Sequence, residues 1–352
     1  MTDRVHGGPR DAELRALGLD PAHVLDFSVS TNPYGPCPTV VAAIRAAALD
    51  RYPDPTSHAT RIAMAPLVGV PPEQLVLGNG AAELLWAVAR AVLRPGDTAL
   101  IAEPTFSELR TAAIALGARI REWRAAADRF QIDLAAIARH LGDARLVYLC
   151  TPSTPTGATV RADEVAAWAA TCPDTVIVLD QSFLSLADHA EDATVAMPAN
   201  VIRVRSLTKD HALAGVRVGY LIAAPALVAR IEAQRPAWST SALAQAAARA
   251  ALSSRAFVDA SRLRLRDDRA ELVTALRDLG LIPAPSTAPF VLVSVPDATA
   301  LRARLARHAM LVRDCASFGL PGYIRIAARP PADRARLVTA LRQELGCSHP
   351  RS

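Results

Sequence analysis

Between about residues 60 and 235, short apolar runs alternate with Ala/Leu-rich amphipathic stretches. The runs that predict strands are Gln74–Leu77, Thr98–Ala102, Arg119–Trp123, Leu146–Cys150, Val176–Leu179, Val201–Val204 and Val218–Ala223. Most are separated by stretches of helical period, among them Ala81–Val92, Ser107–Leu116, Leu134–Arg139 and Ala162–Thr171. This alternation predicts an α/β fold, a mainly parallel sheet with helices on both faces. Ligands of such sheets bind beyond the carboxyl ends of the strands. After about residue 240 the pattern changes. A long helical stretch, Ser241–Leu279, leads to a strand-like Phe290–Val295 and a helix over Ala298–His308. Two short runs, Met310–Arg313 and Gly322–Ala327, and a closing helix over Pro331–Leu345 complete the chain. The expected division is a Pro- and Gly-rich arm over residues 1–35 that joins the smaller domain, a large domain over 36–238, and a smaller α+β domain over 239–352. No solenoid repeat is visible.

With 352 residues, 51% of them hydrophobic, the chain is large enough for a full-sized core and too apolar to be mainly disordered. No eighteen-residue apolar run is present, and Met1 to Gly8 has no apolar leader core, so a soluble cytosolic protein is expected. The net charge of +5 comes from arginines scattered along the helical stretches. Such scatter suits solvated helix faces better than a phosphate-tracking patch, so no nucleic-acid or membrane partner is expected. Cys37, Cys150, Cys172, Cys315 and Cys347 lack metal-ligand spacing and read as reduced thiols, with no metal site.

One count changes the picture. The chain has a single lysine, Lys209, beside 38 arginines. Arginine serves for surface charge and anion binding but does not become an amine nucleophile. A lone lysine therefore marks chemistry that needs a primary amine, above all a Schiff base, against the alternative of a surface residue. It lies in Ser206-Leu207-Thr208-Lys209-Asp210-His211-Ala212-Leu213-Ala214-Gly215-Val216-Arg217-Val218-Gly219-Tyr220, directly after a predicted strand. Hydroxyls and an Arg suit a phosphate, and the lysine suits an aldehyde. Pyridoxal phosphate has both groups.

Other motifs stand at predicted strand ends. Asp180 closes Val176–Leu179, where a buried carboxylate needs a cation such as a protonated pyridine nitrogen, or else acts as a helix N-cap. Gly78-Asn79-Gly80-Ala81-Ala82-Glu83 opens a helix, whose first N–H groups suit a phosphate. Phe106, in Glu103-Pro104-Thr105-Phe106, is placed to stack on a flat ring or to join the core. Thr151 to Gly157 forms a Pro-rich turn. Arg325, between apolar neighbours, suits a substrate carboxylate or an ion pair.

The order Asn32-Pro33-Tyr34-Gly35-Pro36, Arg51-Tyr52-Pro53-Asp54, Gly78-Asn79-Gly80, Pro104-Thr105-Phe106, Pro152 to Gly157, Asp180, Ser206 to Tyr220 and Arg325 resembles the class I/II aminotransferase superfamily, the fold type I pyridoxal phosphate enzymes. The resemblance covers nearly the whole chain. It implies a Schiff-base lysine in Lys209, a ring-nitrogen partner in Asp180 and a ring stacked on Phe106. It also implies phosphate contacts from Gly80, Ala81, Ala82, Ser206, Thr208 and Arg217, and from Tyr52 of a second subunit in a homodimer with shared sites. Thr154 stands where Asn usually meets the phenolic oxygen, and Gln181 where an acid is usual. His6, Asn32, Tyr34, Gly35 and Arg325 are implied to meet an amino-acid substrate.

Within the superfamily, His6-Gly7-Gly8, Leu25-Asp26-Phe27-Ser28, Phe183 and Arg313-Asp314-Cys315 resemble threonine-phosphate decarboxylases. Tyr34-Gly35-Pro36 and Tyr52-Pro53-Asp54 are shared with histidinol-phosphate aminotransferases, which usually carry Tyr at the position of Phe183. The leading expectation is therefore a decarboxylase of a phosphorylated hydroxy-amino acid, with aminotransfer as its alternative. A cofactor-binding regulator without turnover is a third, suggested only by Thr154 and Gln181.

Overall fold

The computed structural model describes residues 7–9, 11–190 and 194–346. The N-terminal part holds α1 (Asp11–Ala16) and the short β1 (Leu25–Asp26). Next come α2 (Pro38–Arg45), α3 (His58–Val68), β2 (Leu75–Gly78), α4 (Gly80–Val92), β3 (Thr98–Glu103), α5 (Glu108–Ala115) and β4 (Arg119–Arg124). They are followed by α6 (Leu134–Arg139), β5 (Ala144–Cys150), α7 (Ala162–Ala170), β6 (Val176–Asp180), β7 (Val201–Arg205), α8 (Leu207–Asp210) and β8 (Gly219–Ile222). Three helices come next, α9 (Pro225–Glu232), α10 (Ala242–Ser253) and α11 (Arg255–Asp278). The C-terminal elements are β9 (Phe290–Ser294), α12 (Ala298–Arg307), β10 (Met310–Leu311), β11 (Arg313–Asp314), β12 (Tyr323–Ala327) and α13 (Pro331–Glu344).

Two compact units result. The larger comprises residues 31–154 and 158–262, the smaller 1–30, 155–157 and 263–352. In the larger unit seven strands run in the order β2-β8-β7-β6-β5-β3-β4. Only β8 is antiparallel to its neighbours β2 and β7. The other six strands therefore point the same way and share one carboxyl edge.

Alternate residues of each strand enter different cores, as the two-residue period requires. Ile101, Tyr148, Val178 and Ile202 pack with α4 and α5, whereas Leu100, Leu149, Ile177 and Leu179 pack with α6 and α7. A third cluster joins Leu75, Leu77 and Ile222 to α2, α3 and α10. Covering both faces explains why these strands read as continuous apolar runs.

The expected break near residue 239 lies upstream of α10, yet Ala244, Ala247, Ala248 and Ala251 of α10 pack with Val40 and Met64 of α2 and α3. The unit boundary accordingly falls later, at residue 262, within α11. The smaller unit contains the antiparallel sheet β11-β12-β9 and the parallel pair β1-β10. Phe27, Leu276, Val291, Val293, Ile324, Ile326, Leu305 and Leu341 form its core. Among the described residues no helix is long and apolar enough to cross a membrane, and no cluster of His, Cys, Asp and Glu is arranged to hold a metal ion.

Candidate active site

Because β7 ends at Arg205 and α8 begins at Leu207, Lys209 stands just past the carboxyl edge of the sheet. Its turn is held from two sides. Thr208 donates both its N–H (3.2 Å) and its hydroxyl (3.1 Å) to the Val218 carbonyl. Asn32 donates its N–H to the Lys209 carbonyl at 2.9 Å and its side-chain amide to the Asp210 carbonyl at 2.9 Å. The Asn32 oxygen in turn accepts from Tyr34 N–H at 3.0 Å. A Cβ at Gly35 would meet the His211 carbonyl at 3.2 Å, so this segment lies directly on the lysine turn. Asn32, expected at the substrate, thus has its side chain engaged in clamping the lysine's backbone. The Thr208 hydroxyl, expected at a phosphate, has its one proton committed to a carbonyl. The Lys209 Nζ lies 5.6 Å from the centre of the Phe183 ring.

Asp180, at the end of β6, is only 2% exposed. Its Oδ2 accepts from the Tyr148 hydroxyl at 2.8 Å and its Oδ1 from Ser182 N–H at 2.9 Å. Burial pushes its carboxyl above the usual range, against the opposing pull of these hydrogen bonds and of the Lys209 charge. A buried acid of this kind gains most from a cationic neighbour. Tyr148 was not singled out from sequence. The available signal was a lone tyrosine two residues before Cys150, whose strand partner is Asp180.

The third element is the start of α4. Its N-cap, Asn79, makes no side-chain capping bond, so the first-turn N–H groups keep their outward polarity. Gly80 has φ +78°, and a Cβ there would lie 2.7 Å from Nη2 of Arg217. A Cβ at Gly219 would lie 2.9 Å from the Ala81 nitrogen. The guanidinium, Gly80 and Ala81 therefore converge, and Ala82 follows in the same turn. Uncapped amides beside a guanidinium suit a phosphate.

Around these stand Ser206, buried at the start of α8, and Thr154, buried in the turn after β5. Phe106 is partly buried against the large core. Tyr52 is 79% exposed and packs against Trp238, the ring centres 4.9 Å apart and the planes tilted by 33°. His6 lies outside the described residues. Arg325 belongs to the smaller unit, where its Nη2 donates to the Ser28 carbonyl at 2.6 Å. Burial lowers its pKa to about 10. Its cross-strand partner in the β11–β12 register is Arg313, also buried. Two buried guanidiniums on facing positions are an arrangement that spacing along the chain did not disclose.

An amine, a buried acid and a polar helix start with its guanidinium match in turn the aldehyde, ring nitrogen and phosphate of pyridoxal phosphate. On a mainly parallel seven-stranded sheet they define a fold type I pyridoxal phosphate enzyme. The chain belongs to the aminotransferase class I and II family, which it matches over residues 22–341. It is 34% identical to histidinol-phosphate aminotransferase of Symbiobacterium thermophilum over 98% of this chain and 97% of that protein. Among solved structures it resembles histidinol-phosphate aminotransferase from Sinorhizobium meliloti in complex with pyridoxal-5'-phosphate, with a TM-score of 0.87 and 29% identity over 98% of this chain and 97% of that one. It also resembles L-threonine-O-3-phosphate decarboxylase from Porphyromonas gingivalis, with a TM-score of 0.80 and 25% identity over 92% of this chain and all of that one. The protein is an enzyme whose cofactor is pyridoxal phosphate.

Proposed function

We propose that this enzyme transfers an amino group to and from a small phosphorylated amino compound, in the manner of a histidinol-phosphate aminotransferase. The observation that carries this reading is the 34% identity, over nearly the full length, to a protein of that name. It reverses the order expected from the motifs, in which decarboxylation stood first. Decarboxylation of threonine phosphate is kept as a second reading because of the likeness to the decarboxylase structure at 25% identity.

When bound, pyridoxal phosphate supplies an electron sink. The chain's own residues do the rest. Lys209 is the amine that carries the cofactor and moves the proton of the substrate Cα. Asp180 holds a proton at the ring nitrogen, with Tyr148 orienting its carboxylate. Gly80, Ala81, Ala82, Ser206 and Arg217 would hold the phosphate, Phe106 would support the ring, and Thr154 would serve the phenolic oxygen. Asn32 and Gly35 keep the lysine turn in place.

Arg313 and Arg325 receive the substrate's anionic group. Two guanidiniums buried side by side repel each other, and a phosphate dianion offsets that repulsion where a neutral group does not. An amino alcohol phosphate has no carboxylate on its Cα, so there only the Cα–H bond can be broken. The working form in this reading is a cytoplasmic homodimer in which Tyr52 reaches the neighbouring copy's phosphate.

The test is to mix holoenzyme with histidinol phosphate and, separately, with threonine phosphate. The cofactor's conversion to its amine form and carbon dioxide release are then followed. Amine-form cofactor with histidinol phosphate, reversed by a 2-oxo acid, is the expected result. Carbon dioxide from threonine phosphate without amino transfer would overturn it.

A further inference from the structure

Two large aromatic side chains stand out on the larger unit because both are exposed and they face each other. Tyr52 is 79% and Trp238 49% exposed, with ring centres 4.9 Å apart and planes inclined by 33°. Trp238 also has φ +57°, the left-handed region that a bulky residue rarely adopts. Such a backbone persists only where its surroundings impose it.

Those surroundings are visible. Arg235, with its side chain buried, donates to Ser239 Oγ at 2.8 Å and to Thr240 Oγ1 at 3.2 Å, on the far side of Trp238. It also pairs with Glu83 at 2.8 Å, in the first turn of α4. Thr240 Oγ1 donates to the Leu77 carbonyl at 3.2 Å, near the end of β2. The loop bearing Trp238 is therefore pinned to the strand end and helix start proposed to hold the phosphate. Gln245 then joins the two aromatic loops. Its amide donates to the Thr240 carbonyl at 3.2 Å and to the Asp54 carbonyl at 2.9 Å. The Asp54 carboxylate holds its own loop by accepting from the N–H of Thr56 and of Ala59.

We infer that Trp238 is a positioning residue whose ring aims the Tyr52 hydroxyl. This rests on the reading above, in which Tyr52 serves the cofactor phosphate of a second copy of the chain. An exposed tyrosine on a loop samples several rotamers, and each must be given up on contact. A ring already packed against an indole on a pinned backbone has given some of them up, so the contact forms at lower cost.

The experiment measures the rate at which dimeric holoenzyme releases pyridoxal phosphate into excess inorganic phosphate, followed by loss of visible absorbance. The variants are Trp238→Ala, Trp238→Phe, Tyr52→Phe and the double variant Trp238→Ala/Tyr52→Phe, each sized by gel filtration. Tyr52→Phe is expected to speed release about tenfold, Trp238→Ala about threefold to tenfold, and Trp238→Phe hardly at all. The double variant should release no faster than Tyr52→Phe alone, since the indole acts through the hydroxyl. Additive effects, or an unchanged rate in Trp238→Ala while Tyr52→Phe is fast, overturn the role of Trp238 and leave that of Tyr52 standing. An unchanged rate in Tyr52→Phe overturns both. Fast release in Trp238→Ala that comes with dissociation to monomers also overturns the inference, because the indole would then hold subunits rather than a side chain.

Discussion

At Lys209 the chemistry of one amine can be isolated with unusual clarity, because no other side chain of the protein can form an imine. Borohydride reduction of the holoenzyme should add one phosphopyridoxyl group, and peptide mass mapping should find it at Lys209. Lys209→Ala should lose that mass gain altogether; an adduct retained elsewhere than the α-amino group would contradict the assignment. The two residues that follow are buried and titratable. Burial pushes Asp210 up to about 6, against the pull of Arg205 and Ser185, and pushes His211 down to about 4. The raised acid stabilises the fold below its unfolded pKa, and that contribution disappears as pH rises through 6. The depressed histidine stabilises it above its unfolded pKa, and that contribution disappears as pH falls through 4. The two slopes oppose each other between about pH 4 and 6. Asp210→Asn should therefore leave stability near pH 4 almost unchanged and raise it at pH 7.5 by on the order of 3 kcal/mol. Denaturant midpoints at the two pH values check this, and an equal change at both would refute it.

At the scale of elements, the start of α4 makes the sharpest demand on sequence. Gly80→Ala places a side chain at φ +78°, which costs about 1–2 kcal/mol, and drives its Cβ toward Arg217. The guanidinium can swing away, so the fold should survive. The phosphate grip should not. The dissociation constant for pyridoxal phosphate should rise about tenfold or more in a spectroscopic titration, while that for phosphate-free pyridoxal changes little. Much at this scale was legible beforehand. The predicted strands recur as β2 to β8 within a residue or two. Most are buried on both faces and so read as apolar runs with polar ends, whereas the edge strand β4 is largely exposed and carries charges around Ile120 and Trp123. The turn residues at the carboxyl edge were legible for the same reason: Gly80 and Asp180 interrupt apolar patterns. The boundary near residue 240 was not. An Ala-rich helix such as α10 presents small apolar residues on several sides, so its sequence does not say which unit it joins.

Across the whole molecule, every residue of one chain proposed to hold its own cofactor belongs to the larger unit, whereas Arg313 and Arg325 belong to the smaller. This separation predicts a separation of effects. Arg325→Lys keeps the charge but loses the planar fork, so KM for a phosphorylated substrate should rise about tenfold or more. Cofactor affinity and the visible spectrum of the resting enzyme should stay as in the parent. A parallel loss of cofactor would argue against the assigned role.

Residue chemistry and short-range periodicity were enough to single out the lone amine, the acid at a strand end and the glycine turn as candidates, and to give the kind of sheet whose edge gathers them. Each of these depends on a residue and its near neighbours in the chain. The clamp of Asn32 on the lysine turn, the hydroxyl of Tyr148 on Asp180, the facing pair Arg313 and Arg325, and the ring of Trp238 under Tyr52 emerged only in the folded chain. Those contacts join segments from about ten to almost two hundred residues apart. Strand register and side-chain packing select them, and neither leaves a local signature.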